Sequence, residues 1–261
     1  METTINKSIC DIDRYETERQ ICKNCDGAKC LKSDKGYGPF EEAVLFREEN
    51  GNVRLTHREC VIRLKHFRQE ALNQAFTSSK IPKLYQGKTF DDYKLTKGNA
   101  KAVEATKKAI ETDKGLFLAG NCGCGKTMLA AIAASESLKR GKSVIFAAVP
   151  RLLSDIKATF DSEESTLDIL RSIESVDLLV LDDLGTEKTT DWTAELLFSI
   201  VNARYNDSKQ TIITTNYTPE ELQMHIAGTD SKWKTTAERI LSRICAMCMI
   251  AYITGNDWRM A

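Results

Sequence analysis

The chain has 261 residues, 42% of them apolar, and its 37 Lys and Arg residues balance 37 Asp and Glu residues. This length and composition support a packed core with room for a small additional module, which excludes a largely disordered chain. The balanced charge excludes attraction to nucleic acid or membranes through overall charge, so that only a local basic face could serve.

The amino-terminal twenty residues lack the apolar segment that a signal peptide needs. The longest apolar run, residues 244–253, is too short to span a bilayer. We therefore expect a cytoplasmic protein that has no membrane partner and whose thiols stay reduced.

Five of the nine cysteines lie within the first sixty residues, in a charged stretch with too little apolar periodicity to build a core. In a reducing compartment an odd number of cysteines favours metal ligation or simple burial over disulfides. Cys22 and Cys25 have the C-x2-C spacing of a zinc knuckle. We predict a Zn2+-binding module over residues 1–76 with the ligands Cys22, Cys25, Cys30 and Cys60. His57 is the substitute if Cys30 points away, and a reduced, solvent-facing cysteine cluster is the alternative.

Residues 77–95 contain serines, a proline and a glycine that interrupt the periodicity, which predicts a linker. Beyond it, over residues 96–261, short apolar stretches alternate with amphipathic stretches of helix length. This alternation predicts an α/β domain, a parallel five-stranded sheet with crossover helices. The predicted strands cover residues 116–119, 144–148, 178–181, 211–215 and 249–254. The predicted helices cover residues 126–139, 152–160, 167–175 and 192–205.

The sequence GNCGCGKT, residues 120–127, satisfies G-x-x-x-x-G-K-[ST] between a predicted strand and a predicted helix. In this motif backbone amides hold phosphate oxygens, the lysine, Lys126, reaches the outer phosphates, and the hydroxyl of Thr127 ligates Mg2+. Cys122 and Cys124 occupy free positions of the motif and are most simply small loop residues, with a redox or metal role as the alternative. The predicted nucleotide-binding residues of the loop are Gly120, Asn121, Cys122, Gly123, Cys124, Gly125, Lys126, Thr127 and Met128.

An acidic pair, Asp182 and Asp183, ends the apolar strand VDLLVL. We predict that Asp182 helps to hold Mg2+ and that Asp183 orients and polarises the water that attacks ATP. The strand TIITTN ends in polar residues beside the last phosphate, so that Asn216 or Thr215 could hold the same water. A phosphotransferase, in which a small-molecule acceptor replaces water, is an alternative function.

Several blocks in order resemble AAA+ ATPases and, more narrowly, bacterial replicative helicase loaders of the DnaC and DnaI type together with their transposition relative IstB. The blocks include IPKLYQGKTFDDY, GNCGCGKT, LLVLDDLGTE, TPEEL, ERILSRI and GNDWR, and they cover residues 81–261. The resemblance implies a P-loop AAA+ core. The resemblance also implies a core without the helical lid of most AAA+ proteins, and only two residues follow Arg259.

The resemblance further implies roles for two arginines. Arg243 would act in trans on the nucleotide of a neighbouring subunit, compensating charge on the transferring phosphoryl group, and Arg259 would sense the nucleotide in cis. Arg239 is the second candidate for either role, and surface ion pairing is the alternative for each. Many AAA+ enzymes carry glutamate in place of Asp183, so that slow ATP turnover is expected.

The function implied by the resemblance is ATP-dependent loading of the hexameric replicative helicase onto single-stranded DNA, with the zinc module contacting the helicase. Lys157 and Phe160 are candidate DNA contacts, because backbone charge and base stacking combine in such sites. A basic helix face is a further candidate, formed by Arg58, Arg63, Lys65 and Arg68. An IstB-type transposition helper ATPase is the alternative.

Overall fold

The computed structural model describes residues 13–22, 25, 30, 32, 41–47, 53–159, 166–228 and 233–258. The chain forms two compact units, Met1–Gln74 and Ala75–Ala261, here named the amino-terminal unit and the core unit. Two residues with predicted roles, Phe160 and Arg259, lie outside the described residues. No helix of the described ranges is both long enough and apolar enough to cross a membrane.

The amino-terminal unit contains a helix, α1, over residues 13–22 and an antiparallel hairpin of β1 (Glu41–Arg47) and β2 (Val53–Glu59). Arg58 lies on β2 directly opposite Glu42 of β1, and the two side chains form an ion pair of 3.2 Å. The predicted basic helix face is therefore wrong for Arg58, because strand pairing continues through residue 59 and the helix begins only afterwards, at Val61.

A buried ion pair joins α1 to the rest of this unit. Glu18 and Lys32 are each 1% exposed and bind each other, and Nε2 of His57 lies 3.1 Å from a Glu18 carboxylate oxygen. Burial acts to raise the pKa of Glu18, but the hydrogen bonds from Lys32 and His57 outweigh it, so that the pKa is lowered. The imidazole of His57, the predicted substitute for Cys30 as a zinc ligand, therefore already contacts the carboxylate of Glu18.

The core unit is a three-layered α/β structure, and the division between the units falls within helix α2 (Val61–Ser78). Its strands are β3 (Gly115–Gly120), β4 (Val144–Ala148), β5 (Leu178–Leu184), β6 (Gln210–Thr215) and β7 (Cys248–Ile253). Its further helices are α3 (Ala100–Thr112), α4 (Lys126–Lys139), α5 (Val149–Ala158), α6 (Thr166–Ser175), α7 (Asp191–Asn206), α8 (Pro219–Ala227) and α9 (Lys234–Met247).

All five strands are parallel and lie in the order β4-β5-β6-β3-β7, which confirms the predicted sheet. β3 is an interior strand between β6 and β7, and helices cover both faces of the sheet, so that its side chains are buried on both faces. Leu116 and Leu118 pack towards α3 and α4, whereas Phe117 and Ala119 pack towards the cluster of α5, α7 and α9. The carboxyl ends of the strands meet at one edge, which is where ligands bind in open α/β sheets.

Residues 77–95, the predicted linker, belong to the core unit and pack against its sheet and helices. The backbone N–H of Phe146 on the edge strand β4 donates to the carbonyl of Ser79 at 2.7 Å. Ile81 and Tyr93 are buried in the same apolar cluster as α3 and α4. Two short 3-10 turns, Lys83–Tyr85 and Phe90–Asp92, carry the chain past the carboxyl edge of the sheet.

The side chain of Arg204 on α7 is fully buried and acts as a structural clamp. Its Nη1 donates to carbonyls at the end of α6, including those of Ile173 (2.8 Å) and Val176 (3.0 Å). Its Nε donates to the hydroxyl of Thr211, and Nη2 donates to the carbonyl of Gln210. Burial lowers the pKa of Arg204 to about 10, so that the group stays charged at neutral pH.

Candidate functional site

The phosphate loop joins the end of β3 to the first turn of α4. Gly123 and Gly125 have φ angles of +72° and +100°, which favour glycine. A Cβ atom on Gly123 would lie 1.8 Å from the carboxylate of Asp257, and one on Gly125 would lie 2.9 Å from the hydroxyl of Tyr93. The loop therefore needs glycine at both positions. It leads directly into the amino terminus of α4, and a helix amino terminus favours anions.

Lys126 is a buried cation that is 5% exposed. Its Nζ donates to the carbonyls of Gly120 (2.9 Å) and Asn121 (2.8 Å) and to Oδ1 of Asn216 (2.8 Å). These three acceptors are neutral, and no carboxylate in the described part of the chain forms an ion pair with this ammonium group. A buried lysine with no ion-pair partner is costly unless an anion binds to it, so the loop fits a phosphate group.

Asp182 lies at the carboxyl end of β5 and is 5% exposed. Its Oδ1 accepts a hydrogen bond of 2.6 Å from the hydroxyl of Thr214, and the hydroxyl of Thr127 is also bonded to it. Burial raises the pKa of Asp182, as does the neighbouring charge of Asp183, while the two hydroxyls and Lys126 oppose that rise. A buried carboxylate beside the loop threonine is a donor set that suits Mg2+.

A cavity of about 500 Å³ opens over the loop. It brings together four side chains to which the sequence assigned roles: Lys126, Thr127, Asp183 and Asn216. Cys122, Gly123, Cys124, Gly125 and Met128 of the loop line it as well. The cavity thus brings together the residues predicted for the phosphates and the attacking water, with Thr127 as the predicted Mg2+ ligand among them, whereas Asp182 lines a separate cavity.

Six further lining residues had no predicted role: Tyr85, Asp92, Tyr93, Lys94, Thr186 and Trp258. The Nζ of Lys94 lies 4.4 Å from the ring centroid of Trp258, whose backbone N–H donates to the carbonyl of Gly123 at 3.2 Å. Burial raises the pKa of Tyr93 to about 12. The aromatic residues near 85–93 and at 258 were the available signal, but nothing in the sequence places these two segments side by side.

Arg243 does not line this cavity. Its Nε donates to Oδ1 of Asn202 (2.8 Å), and Nη1 donates to the carbonyl of Arg239 (3.1 Å). The guanidinium also lies over the rings of Phe198 and Tyr205 on α7, at 5.1 and 5.8 Å. Among the described residues, no group accepts a hydrogen bond from Nη2 of Arg243. One edge of a half-buried guanidinium is therefore available to an anion.

The loop cysteines differ in exposure. Cys124 is buried against the core, whereas Cys122 is exposed at the cavity, and both are free thiols. Across the residues that the structure describes, no three His, Cys, Asp or Glu side chains lie close enough together to hold a metal ion. Cys122 and Cys124 therefore do not belong to such a group, and the loop around them has the geometry of a phosphate cradle.

The amino-terminal cysteines share one neighbourhood. The backbone N–H of Cys25 donates to the carbonyl of Cys22 at 3.1 Å, and Cys30 and Cys60 are buried. The pKa of the Cys22 thiol is raised, first by burial and also by the thiols of Cys60, Cys25 and Cys30, against the effect of the Lys32 ammonium. The described atoms of this group do not form a metal-ligand set, so the predicted zinc site is not confirmed.

A five-stranded parallel sheet in this order, with a phosphate loop after its first strand in the chain and an acidic pair near the end of its third, defines an AAA+ P-loop protein. The chain belongs to the family of IstB-like ATP-binding proteins, whose sequence profile matches residues 53–261. ATP is therefore the nucleotide of this site, and ATPase activity is the general property of such a core.

Individual relatives agree with this assignment. The chain is 25% identical to the replicative helicase loader DnaI of Bacillus subtilis over 98% of this chain and 84% of DnaI. It is 28% identical to the replicative helicase loader DnaC of Escherichia coli K12 over 78% of this chain and 80% of DnaC. A crystal structure of DnaI superposes with a TM-score of 0.60 at 28% identity, covering 67% of this chain and 95% of that one.

Proposed function

We propose that this protein is an ATP-dependent loader that binds the hexameric replicative helicase and helps to place it on single-stranded DNA. The observation that carries the proposal is the similarity to DnaI over 98% of this chain, which includes the amino-terminal unit as well as the ATP-binding core. The match to the IstB-like profile begins only at residue 53. The additional similarity over the first 52 residues favours a loader over a transposition helper.

A pull-down tests this function directly. The tagged full chain is incubated with the hexameric replicative helicase of its host, with ATP, with ADP and without nucleotide. We expect ATP-dependent retention of the helicase and, in a parallel anisotropy assay, ATP-dependent binding of a labelled single-stranded oligonucleotide. Of the candidate pair Lys157 and Phe160, the structure describes Lys157, which is exposed at the end of α5. Absence of helicase retention under all three conditions would contradict the proposal.

The mechanism follows from the residues around the cavity. On entry of ATP, Nζ of Lys126 exchanges its neutral oxygen partners for the outer phosphate oxygens. Asp183 orients the attacking water, and Asn216, which loses the lysine as its partner, holds the same water. Mg2+ would be held by Thr127 and Asp182 and would neutralise charge on the phosphates. The short side chain of Asp183 is expected to make turnover slow.

We further propose that copies of the chain assemble and that Arg243 completes the site of a neighbour. The support for this proposal is that Asn202 and Phe198 of α7 hold the Arg243 guanidinium, while no described group accepts a hydrogen bond from its Nη2. Arg243→Ala is expected to lower kcat for ATP hydrolysis by about 100-fold or more, with little change in ATP affinity. Steady-state phosphate release and nucleotide titration measure the two quantities, and Arg171→Ala, in an exposed ion pair on α6, is the control.

Mixing two inactive variants separates action in trans from action in cis. Lys126→Ala keeps its Arg243 but lacks its own site, whereas Arg243→Ala keeps its site but lacks the donor. Mixed copies are expected to regain part of the ATPase activity. If the mixture stays as inactive as its components while both variants still assemble, the trans role of Arg243 is wrong.

We also propose that the amino-terminal unit binds Zn2+ through Cys22, Cys25, Cys30 and Cys60. The support is the C-x2-C turn and the shared neighbourhood of the four thiols. Elemental analysis of the full chain, purified without chelator, is expected to find about one Zn2+ per chain. Cys60→Ser should lose it, and Cys245→Ser, an exposed thiol on α9, should not. A folded wild-type chain without metal would refute this site.

A further inference from the structure

The acidic pair lies on a β-bulge. On β5 and β6 the parallel register runs regularly to Leu181↔Ile213 and resumes at Leu184↔Thr215. Two residues of β5 therefore stand against one residue of β6, and that residue is Thr214. Bulges of this kind interrupt the hydrogen bonds of the ladder and are common next to active sites, where they redirect a side chain.

Thr214 bridges both acidic residues with one hydroxyl. It is fully buried, its Oγ1 lies 2.6 Å from Oδ1 of Asp182, and it lies 2.9 Å from the backbone nitrogen of Asp183. A backbone N–H can only donate and a carboxylate can only accept, while a hydroxyl can do both. The hydroxyl proton therefore points to Asp182, and the oxygen accepts from Asp183.

The hydrogen bond from the Asp183 N–H to the Thr214 hydroxyl replaces a backbone hydrogen bond of the ladder that the bulge interrupts. Asp183 has a φ angle of +57°, an uncommon conformation for a residue with a side chain, and costs of about 1–3 kcal/mol accompany such conformations. The bond from its N–H to Thr214 satisfies a donor that would otherwise be left in the interrupted ladder. The same hydroxyl fixes Oδ1 of Asp182, whose carboxylate is also bonded to the hydroxyl of Thr127, the other predicted Mg2+ ligand.

We propose that Thr214 is a positioning residue of the ATPase site, which sets the Asp182 carboxylate for Mg2+ and the Asp183 backbone for the attacking water. It acts through the two aspartates and does not line the cavity itself. The inference deepens the ATPase activity proposed above and rests on it. Sequence reasoning assigned roles to its neighbours Thr215 and Asn216 and none to Thr214.

The test compares variants that keep or remove the hydroxyl. Thr214→Val has nearly the same shape without the donor and acceptor, and Thr214→Ser keeps both. For Thr214→Val we expect kcat to fall and the Mg2+ concentration for half-maximal activity to rise, each about tenfold or more, as for other residues that orient metal ligands. ATP affinity measured without Mg2+ should change less than about twofold, because the phosphate loop is intact. Thr214→Ser should stay within about threefold of wild type on all three measurements.

Thr211→Val is the matched control. Thr211 is a buried threonine of the same strand whose hydroxyl is also bonded, but to Arg204 rather than to an acidic residue. It should lower thermal stability without moving the Mg2+ requirement. If Thr214→Val does not fold, Thr214→Cys replaces it, since a thiol of similar size is a weak donor and acceptor.

The outcomes separate this inference from the proposed function. If the wild-type chain hydrolyses ATP and Thr214→Val has a wild-type Mg2+ requirement and kcat, the positioning role is overturned. If the wild-type chain binds ATP but does not hydrolyse it, the ATPase proposal fails. The Mg2+ dependence of nucleotide binding then still decides the role of Thr214, with a rise for Thr214→Val supporting it and no change refuting it.

Discussion

Replacing Lys126 with alanine is expected to reduce the affinity for ATP by at least about 100-fold, because two charge-assisted hydrogen bonds to phosphate together contribute about 3 kcal/mol or more. The ammonium group is buried at the base of the loop, where its three present partners are neutral oxygens. A bound phosphate would therefore give this ammonium group an ion-pair partner that no described carboxylate now supplies. Hydrolysis should be lost together with binding.

Isothermal titration with ATP and Mg2+ measures this loss. Lys139→Ala is a suitable control, since Lys139 lies at the other end of the same helix in an exposed ion pair with Glu136. It should bind ATP as the wild type does. Wild-type affinity in Lys126→Ala would mean that the nucleotide does not lie in the loop of residues 120–127.

Replacing Arg204 with methionine is expected to destabilise the core unit by about 3–5 kcal/mol, a large part of the stability of a typical domain. Methionine fills much of the volume but donates no hydrogen bond. The carbonyls of Ile173, Val176 and Gln210 and the hydroxyl of Thr211 would then lose their donor inside the protein. Each unsatisfied buried acceptor costs about 1–3 kcal/mol before the structure relaxes.

Urea unfolding followed by circular dichroism measures the change, as a lower midpoint with an unchanged slope. Arg140→Met is the control, because Arg140 makes one bond of this kind, from Nη1 to the carbonyl of Ile110. It should lose about 1 kcal/mol. Equal midpoints for the two variants would show that the clamp at Arg204 does not stabilise the unit.

The parts of the core that could be predicted from the sequence are those whose structure requires one kind of residue, such as apolar residues in a buried strand or glycine in a tight loop. Strand β3 reads as a continuous apolar run because both of its faces are covered, and the glycines of the phosphate loop hold backbone angles that favour glycine. Helix α3 was not predicted, although its buried residues, at positions 102, 103, 106, 109 and 110, follow helical spacing. Helix α8 carried a usable signal, the capping box of Thr218 and Glu221 ahead of a short apolar stretch.

The contributions that the sequence did not reveal depend on which segments become neighbours. Trp258 reaches the nucleotide cavity because β7 lies beside β3, and Thr214 reaches the acidic pair because β6 lies beside β5. Neither neighbour relation is encoded near the residue concerned. The same holds for Arg243, whose predicted role did not foresee that Asn202 and two aromatic rings of α7 would hold it.

A loading assay tests whether the ATP site of the core unit drives delivery of a helicase. Single-stranded circular DNA coated with single-strand-binding protein and annealed to a labelled oligonucleotide is mixed with the host's hexameric helicase, ATP and this protein. We predict that the wild-type chain starts oligonucleotide displacement and that Lys126→Ala does not. If the helicase unwinds a bare forked substrate normally but the wild-type chain never starts displacement on the coated circle, the account is contradicted.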